Sequence, residues 1–121
     1  MESAGDLKIE NDNYSVNFIK DENRIIFKGN FRLRTISNYN EIMQFIIENS
    51  EGADPVILDL ANLEYINSSG IASLGLFLIK LKDSEKKIKI IGSRYVNWQI
   101  SSLKDFQQIN NNIEIEYVVK H

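Results

Sequence analysis

Apolar and polar residues alternate over residues 14–19, where Tyr14, Val16 and Phe18 fall on one side, and a second such run follows over residues 24–28. Between them, Lys20-Asp21-Glu22-Asn23 reads as the turn of a β-hairpin, and Gly29 is expected to break the second strand. The period then changes. Tyr39, Ile42, Met43, Phe45, Ile46 and Ile47 form one broad stripe at helical spacing, with Ser37 in position to cap it. Glu51-Gly52-Ala53-Asp54-Pro55 closes that helix. Val56-Ile57-Leu58-Asp59-Leu60 is a nearly continuous apolar run, the pattern of a central parallel strand covered on both faces.

The second half repeats the alternation. Ile71, Leu74, Leu78 and Leu81 mark the inward stripe of a second helix, with Gly75 thinning one side. Residues 83–87 read as a solvated turn, and Ile88, Ile90 and Ile91 as another buried strand ending at Gly92. A short third helix is expected over residues 95–103, and Ile113, Ile115 and Tyr117 alternate with Glu114 and Glu116 as an edge strand. The order is therefore β-β-α-β-α-β-α-β. It predicts an α/β domain with a four- or five-stranded mixed sheet and about three helices joined by right-handed crossovers. No repeat or linker divides the chain, so residues 14–121 read as one domain behind a polar tail over residues 1–13.

Composition narrows the function. At 121 residues, 43% hydrophobic and 26% charged, the chain fits a soluble globular domain. A net charge of -3 argues against nucleic acid as a partner, because no basic surplus is available to displace counterions. There is no cysteine, which excludes disulfides and thiolate chemistry, and the one histidine is the terminal His121, given no role. No apolar run is long enough for membrane insertion, and the acidic start differs from a secretion signal, so a cytoplasmic location is expected. The abundance of Ile, Asn and Lys suits an AT-rich bacterial genome.

The candidate chemistry sits at Asn67-Ser68-Ser69-Gly70, between the apolar run ending at Ile66 and the second helix. Two hydroxyls there fall on the first turn of a helix, beyond the end of a buried strand. A helix start offers free N–H groups and a positive dipole end, so a phosphate would be accommodated. On these four residues alone the simpler reading is an N-cap by Asn67 or Ser68, worth about 1 kcal/mol. In open α/β sheets such a position lies on the rim where ligand and switch sites gather.

The strand Val56-Ile57-Leu58-Asp59-Leu60, the spacer ending Tyr65-Ile66, and then Asn67-Ser68-Ser69-Gly70-Ile71 resemble the signature of STAS domains, the anti-sigma-factor antagonists of bacteria. The order of elements agrees over most of the chain. The resemblance implies a STAS-like fold and phosphorylation of Ser68, with Ser69 as the neighbouring hydroxyl, by a partner-switching serine-protein kinase that is also the anti-sigma factor. Phosphorylation would break the complex by charge repulsion, and a PP2C-type phosphatase would reset it. A homodimer is compatible with this reading. The chain departs from the family pattern in three places. Asn67 replaces an aspartate, Arg32 and Arg34 stand where an acid is usual, and the helix after the last strand is missing. Asn67→Asp keeps the side-chain size and the capping oxygen, so it is expected to change stability by no more than about 1 kcal/mol and to speed phosphorylation instead.

Other readings have their own signals. Arg32 or Arg34 could reach a phosphate on the same rim and bind it bidentately, although most such charges are simply solvated. Tyr95 and Trp98 could form an exposed partner-binding spot, although core packing is the commoner fate of a tryptophan. An enzyme is disfavoured. Ser68 lacks the Gly-x-Ser-x-Gly elbow, no internal histidine can act as base, Lys80 and Lys82 fall on a solvated helix face, and no phosphate-binding glycine loop is present. No metal or other cofactor is expected. The remaining alternative is an adaptor of a signalling or lipid-transport complex that binds its partner independently of phosphorylation.

Overall fold

The computed structural model of the protein describes residues 7–82 and 85–118. His121 and two residues of the expected turn at 83–87 lie outside the described residues. The sheet has six strands in the order β1-β2-β3-β4-β5-β6, which is also their order along the chain. These are β1 Leu7–Glu10, β2 Tyr14–Ile19, β3 Arg24–Phe31, β4 Val56–Ile66, β5 Ile88–Ser93 and β6 Ile113–Val118. The first two pairings are antiparallel and the other three parallel. Helices α1 Asn40–Ser50, α2 Ser68–Lys82 and α3 Asn97–Ile109 make the three crossovers.

The sixth strand, β1, lies within the stretch read as a polar tail. Its four residues are too few for alternation to stand out. It forms because the Asn11 side chain turns the chain back, accepting from the N–H groups of Asn13 at 2.8 Å and Tyr14 at 3.0 Å. Other boundaries move for similar reasons. Gly29 does not end β3. It sits at φ +95°, and a Cβ there would lie 2.3 Å from the Asn13 carbonyl oxygen, so the strand passes that turn at a register shift and runs on to Phe31. Thr35, not Ser37, supplies the cap before α1. It closes a reciprocal capping box with Asn38 over the 3-10 turn Ile36–Tyr39.

Neighbouring parallel strands joined in one direction by right-handed crossovers place all three helices on one face of the sheet, and α2 packs against both α1 and α3. The core lies between these layers. Phe27, Phe31, Leu58, Leu60, Leu63 and Ile90 from the strands meet Tyr39, Ile42, Ile46, Leu74, Phe77, Leu78 and Leu103 from the helix side. The opposite face carries charge, with ion pairs Arg24–Asp59 and Lys89–Glu116. Asp59 is only 4% exposed, so Arg24 and the backbone N–H of Ala61 supply the partners its carboxylate needs.

The run after Leu60, read as a spacer, is still strand. β4 pairs with β5 only as far as Asp59–Ile91, then leaves it and continues along β3 to Ile66. The gap is closed by α3, which starts two residues later than expected and runs six further. Its buried Gln99 accepts from the Ser93 N–H at 2.7 Å and donates to the Leu60 carbonyl at 2.6 Å, while the Trp98 indole N–H donates to the Leu63 carbonyl at 2.7 Å. Burial of Leu103 and Phe106 outweighs the weak helix preference of Ser101 and Ser102. Gln99→Leu fills the same space but strands a buried donor and a buried acceptor. Denaturant unfolding should show a loss of about 2–4 kcal/mol, with faster amide exchange at Ser93.

Candidate functional site

The carboxyl ends of β3, β4 and β5 share one rim, and the candidate site forms where β4 hands over to α2. Asn67 is the single residue between them. Its carbonyl accepts the first helical bond from Ile71 N–H at 3.0 Å, and its side-chain Oδ1 accepts from Gly70 N–H at 3.0 Å. Asn67 is therefore the N-cap of α2. Gly70 is required for the close approach of this first turn. A Cβ there would lie 2.6 Å from Ile66 Cγ1 and 3.0 Å from Tyr39 Cζ.

Asn67 does more than cap. Its Oδ1 also accepts from the Tyr39 hydroxyl at 2.8 Å, and its Nδ2 donates to the Leu33 carbonyl at 2.6 Å. The Tyr39 hydroxyl in turn accepts from the Leu33 N–H at 3.1 Å. Asn67 N–H donates to the Phe31 carbonyl, so the loop after β3 is fastened to the start of α2 at three points. Burial pushes the Tyr39 phenol above its ordinary range, opposed by the hydrogen bond from Leu33.

Ser68 follows as the first helical residue, exposed, and among the described residues no hydrogen bond holds its hydroxyl. Ser69 is half-buried, and its hydroxyl donates to the Arg34 carbonyl at 3.4 Å. Of the two hydroxyls, Ser68 is thus the one open to an incoming group. Arg32 and Arg34 lie on the fastened loop, both exposed. The Arg32 guanidinium sits 4.5 Å from the centroid of the Tyr65 ring, and Arg34 meets the site through its backbone. Trp98 is half-buried on the core, whereas Tyr95 is 65% exposed.

A free hydroxyl at the first turn of a 15-residue helix, with unsatisfied N–H groups and no carboxylate from the capping residue, can carry a phosphate. No group of three or more His, Cys, Asp or Glu residues suited to a metal ion occurs among the described residues. Sequence reading singled out Asn67, Ser68, Ser69, Gly70, Arg32 and Arg34 but missed Tyr39, which it assigned to the core stripe alone. A phenol must find a polar partner when buried, and that rule was the available signal.

No protein-family model and no curated protein sequence matches the chain. Its fold, however, matches solved structures of SiaC from Pseudomonas aeruginosa. One, at 14% identity, covers 95% of this chain and 97% of that one with a TM-score of 0.66. Apo-SiaC, at 15% identity, covers 92% and 98% with a TM-score of 0.68. SiaC is also described as the activator of the diguanylate cyclase SiaD, in complex with it. That match has 17% identity, coverage of 93% and 100%, and a TM-score of 0.68. At such identities the likeness shows the fold, the mixed α/β sheet with three helices.

The geometry revises the expected tolerance of Asn67→Asp. An aspartate would set a carboxylate oxygen against the Leu33 carbonyl where Nδ2 now donates, so chemical denaturation at neutral pH should show a loss of about 1–3 kcal/mol. Tyr39 gives a second test. Its folded-state pKa is raised, so the stability it contributes is complete below the unfolded value of about 10 and is lost as pH rises through the folded value. Tyr39→Phe should cost about 1 kcal/mol at neutral pH and flatten the alkaline limb of a stability–pH curve.

Proposed function

We propose that this chain is a non-enzymatic signalling adaptor that docks a partner enzyme through the rim around Ser68 and changes that enzyme's activity. The observation that carries the reading is the exposed rim that Asn67 fastens around Ser68, whose hydroxyl makes no hydrogen bond among the described residues. The fold likeness to SiaC spans nearly the whole of both chains, and SiaC is described as an activator bound to a diguanylate cyclase. A diguanylate cyclase from the same cell is accordingly the first partner to test. No helix among the described residues is long and apolar enough to cross a membrane.

A second reading is favoured by Ser68 itself. A phosphate there would add about -1.5 to -2 charges to the docking rim and end the complex by repulsion and desolvation. In that case a serine kinase and a PP2C-type phosphatase would set the docking state. An anti-sigma factor as the kinase rests on the motif resemblance alone, and the adaptor reading takes precedence over it.

Two measurements separate these readings. Added to the purified cyclase, the chain should raise turnover in a saturable manner, and Ser68→Asp should weaken binding by about tenfold or more while far-ultraviolet circular dichroism stays unchanged. Intact-mass analysis of protein from its native cell would then report whether Ser68 carries phosphate. An unmodified mass with full binding supports the constitutive adaptor, and a single phosphate lost in Ser68→Ala supports the switch. No binding to any cyclase of that cell would overturn the assignment of a cyclase as the partner enzyme.

A further inference from the structure

Where β4 leaves β5, the rim opens into a cleft of about 460 Å³ lined by Glu64, Tyr65, Ile66, Tyr95, Asn97 and Trp98. Its floor is rigid, because Trp98 and Gln99 hydrogen-bond to the carbonyls of the diverging strand. Tyr65 and Tyr95 are 42% and 65% exposed, so aromatic surface faces solvent. Glu64 is the one charged residue of the lining, is exposed, and makes no ion pair among the described residues. Arg32, the nearby cation, lies over the Tyr65 ring. The cleft therefore joins three aromatic side chains with one carboxylate that makes no ion pair among the described residues.

That combination selects a cation. Aromatic faces attract positive charge through their quadrupole, and a free carboxylate adds a charge-assisted hydrogen bond. An anionic ligand such as a nucleotide would meet the Glu64 carboxylate and find no cation in the lining. A planar guanidinium suits the site better than an ammonium, because it can stack on a ring and present a fork of donors to a carboxylate at once. The Tyr65 ring already carries the Arg32 guanidinium. We infer that the Glu64–Tyr65–Tyr95–Trp98 cleft is the pocket for an arginine side chain of the docked partner protein. The inference rests on the reading of this rim as a docking surface and adds the anchor that surface would receive.

The test needs no partner in hand. Trp98 is the single tryptophan of the chain, so its indole N–H gives one assignable nuclear magnetic resonance signal inside the cleft. Titrating the full chain with Nα-acetyl-arginine amide at low ionic strength should shift that signal saturably, together with the amides of Tyr65 and Tyr95. Added salt should weaken the response. Nα-acetyl-lysine amide should bind more weakly and Nα-acetyl-norleucine amide not at all. Glu64→Gln, at an exposed residue without a partner, keeps the fold and should abolish most of the shift, and Tyr95→Leu should weaken binding about two- to fivefold. Equal responses to norleucine, tighter binding of lysine, or a response to guanosine monophosphate with arginine silent would each overturn the assignment. A silent arginine titration overturns it even where a cyclase binds the chain, and a saturable one supports it even where none does.

Discussion

The amide of Asn67 is the one side chain on which the rim depends. Its oxygen accepts from the first turn of α2 and from Tyr39, and its nitrogen donates to the loop after β3. A carboxylate has no donor for the third bond, and a serine cap has too short a reach for all three. The asparagine therefore does two jobs at once. It starts the helix that carries Ser68, and it holds the loop bearing Arg32 and Arg34 against that helix. Breaking any one of these bonds leaves a buried or half-buried polar group unpaired, so the hub fails as a unit.

The second constraint is the early parting of β4 and β5. A strand that leaves its neighbour exposes backbone carbonyls, and buried carbonyls need donors. Trp98 and Gln99 supply them, which fixes the start of α3 and places Tyr95 and Trp98 around the resulting cleft. The Asn67 hub and the Trp98–Gln99 clasp lie on the same rim because each helix start follows the carboxyl end of a strand, and parallel strands bring those ends together. Both devices are polar solutions to the same problem, the termination of a buried sheet at a solvent-facing rim.

The fold likeness to SiaC at 14–17% identity is understandable on this basis. Layering depends on the period of apolar residues and on connection lengths, which many sequences satisfy. The hub and the clasp depend on particular side chains. A chain can thus share the architecture while presenting a different surface to its partner, and any likeness of partner has to be argued from residues on the rim.

By itself the sequence determined the alternation of strands and helices, the central apolar strand at residues 56–60, the α2 stripe, and the serine pair at the start of that helix. These follow from local periodicity and capping, which act over a few residues. Only the tertiary structure decided the rest. The strand at Leu7–Glu10 exists because β2 offers an edge and Asn11 makes the turn, and β4 extends to Ile66 because β3 keeps pairing with it. The length of α3 was set by burial of Leu103 and Phe106 against weak local preference. The capping role of Asn67 was legible in sequence, but its bonds to Tyr39 and Leu33 were not, since Asn67 lies 28 positions from Tyr39 and 34 from Leu33. Periodicity reports which face of an element is apolar, whereas a hydrogen bond between distant residues forms only once packing has brought them within about 3 Å.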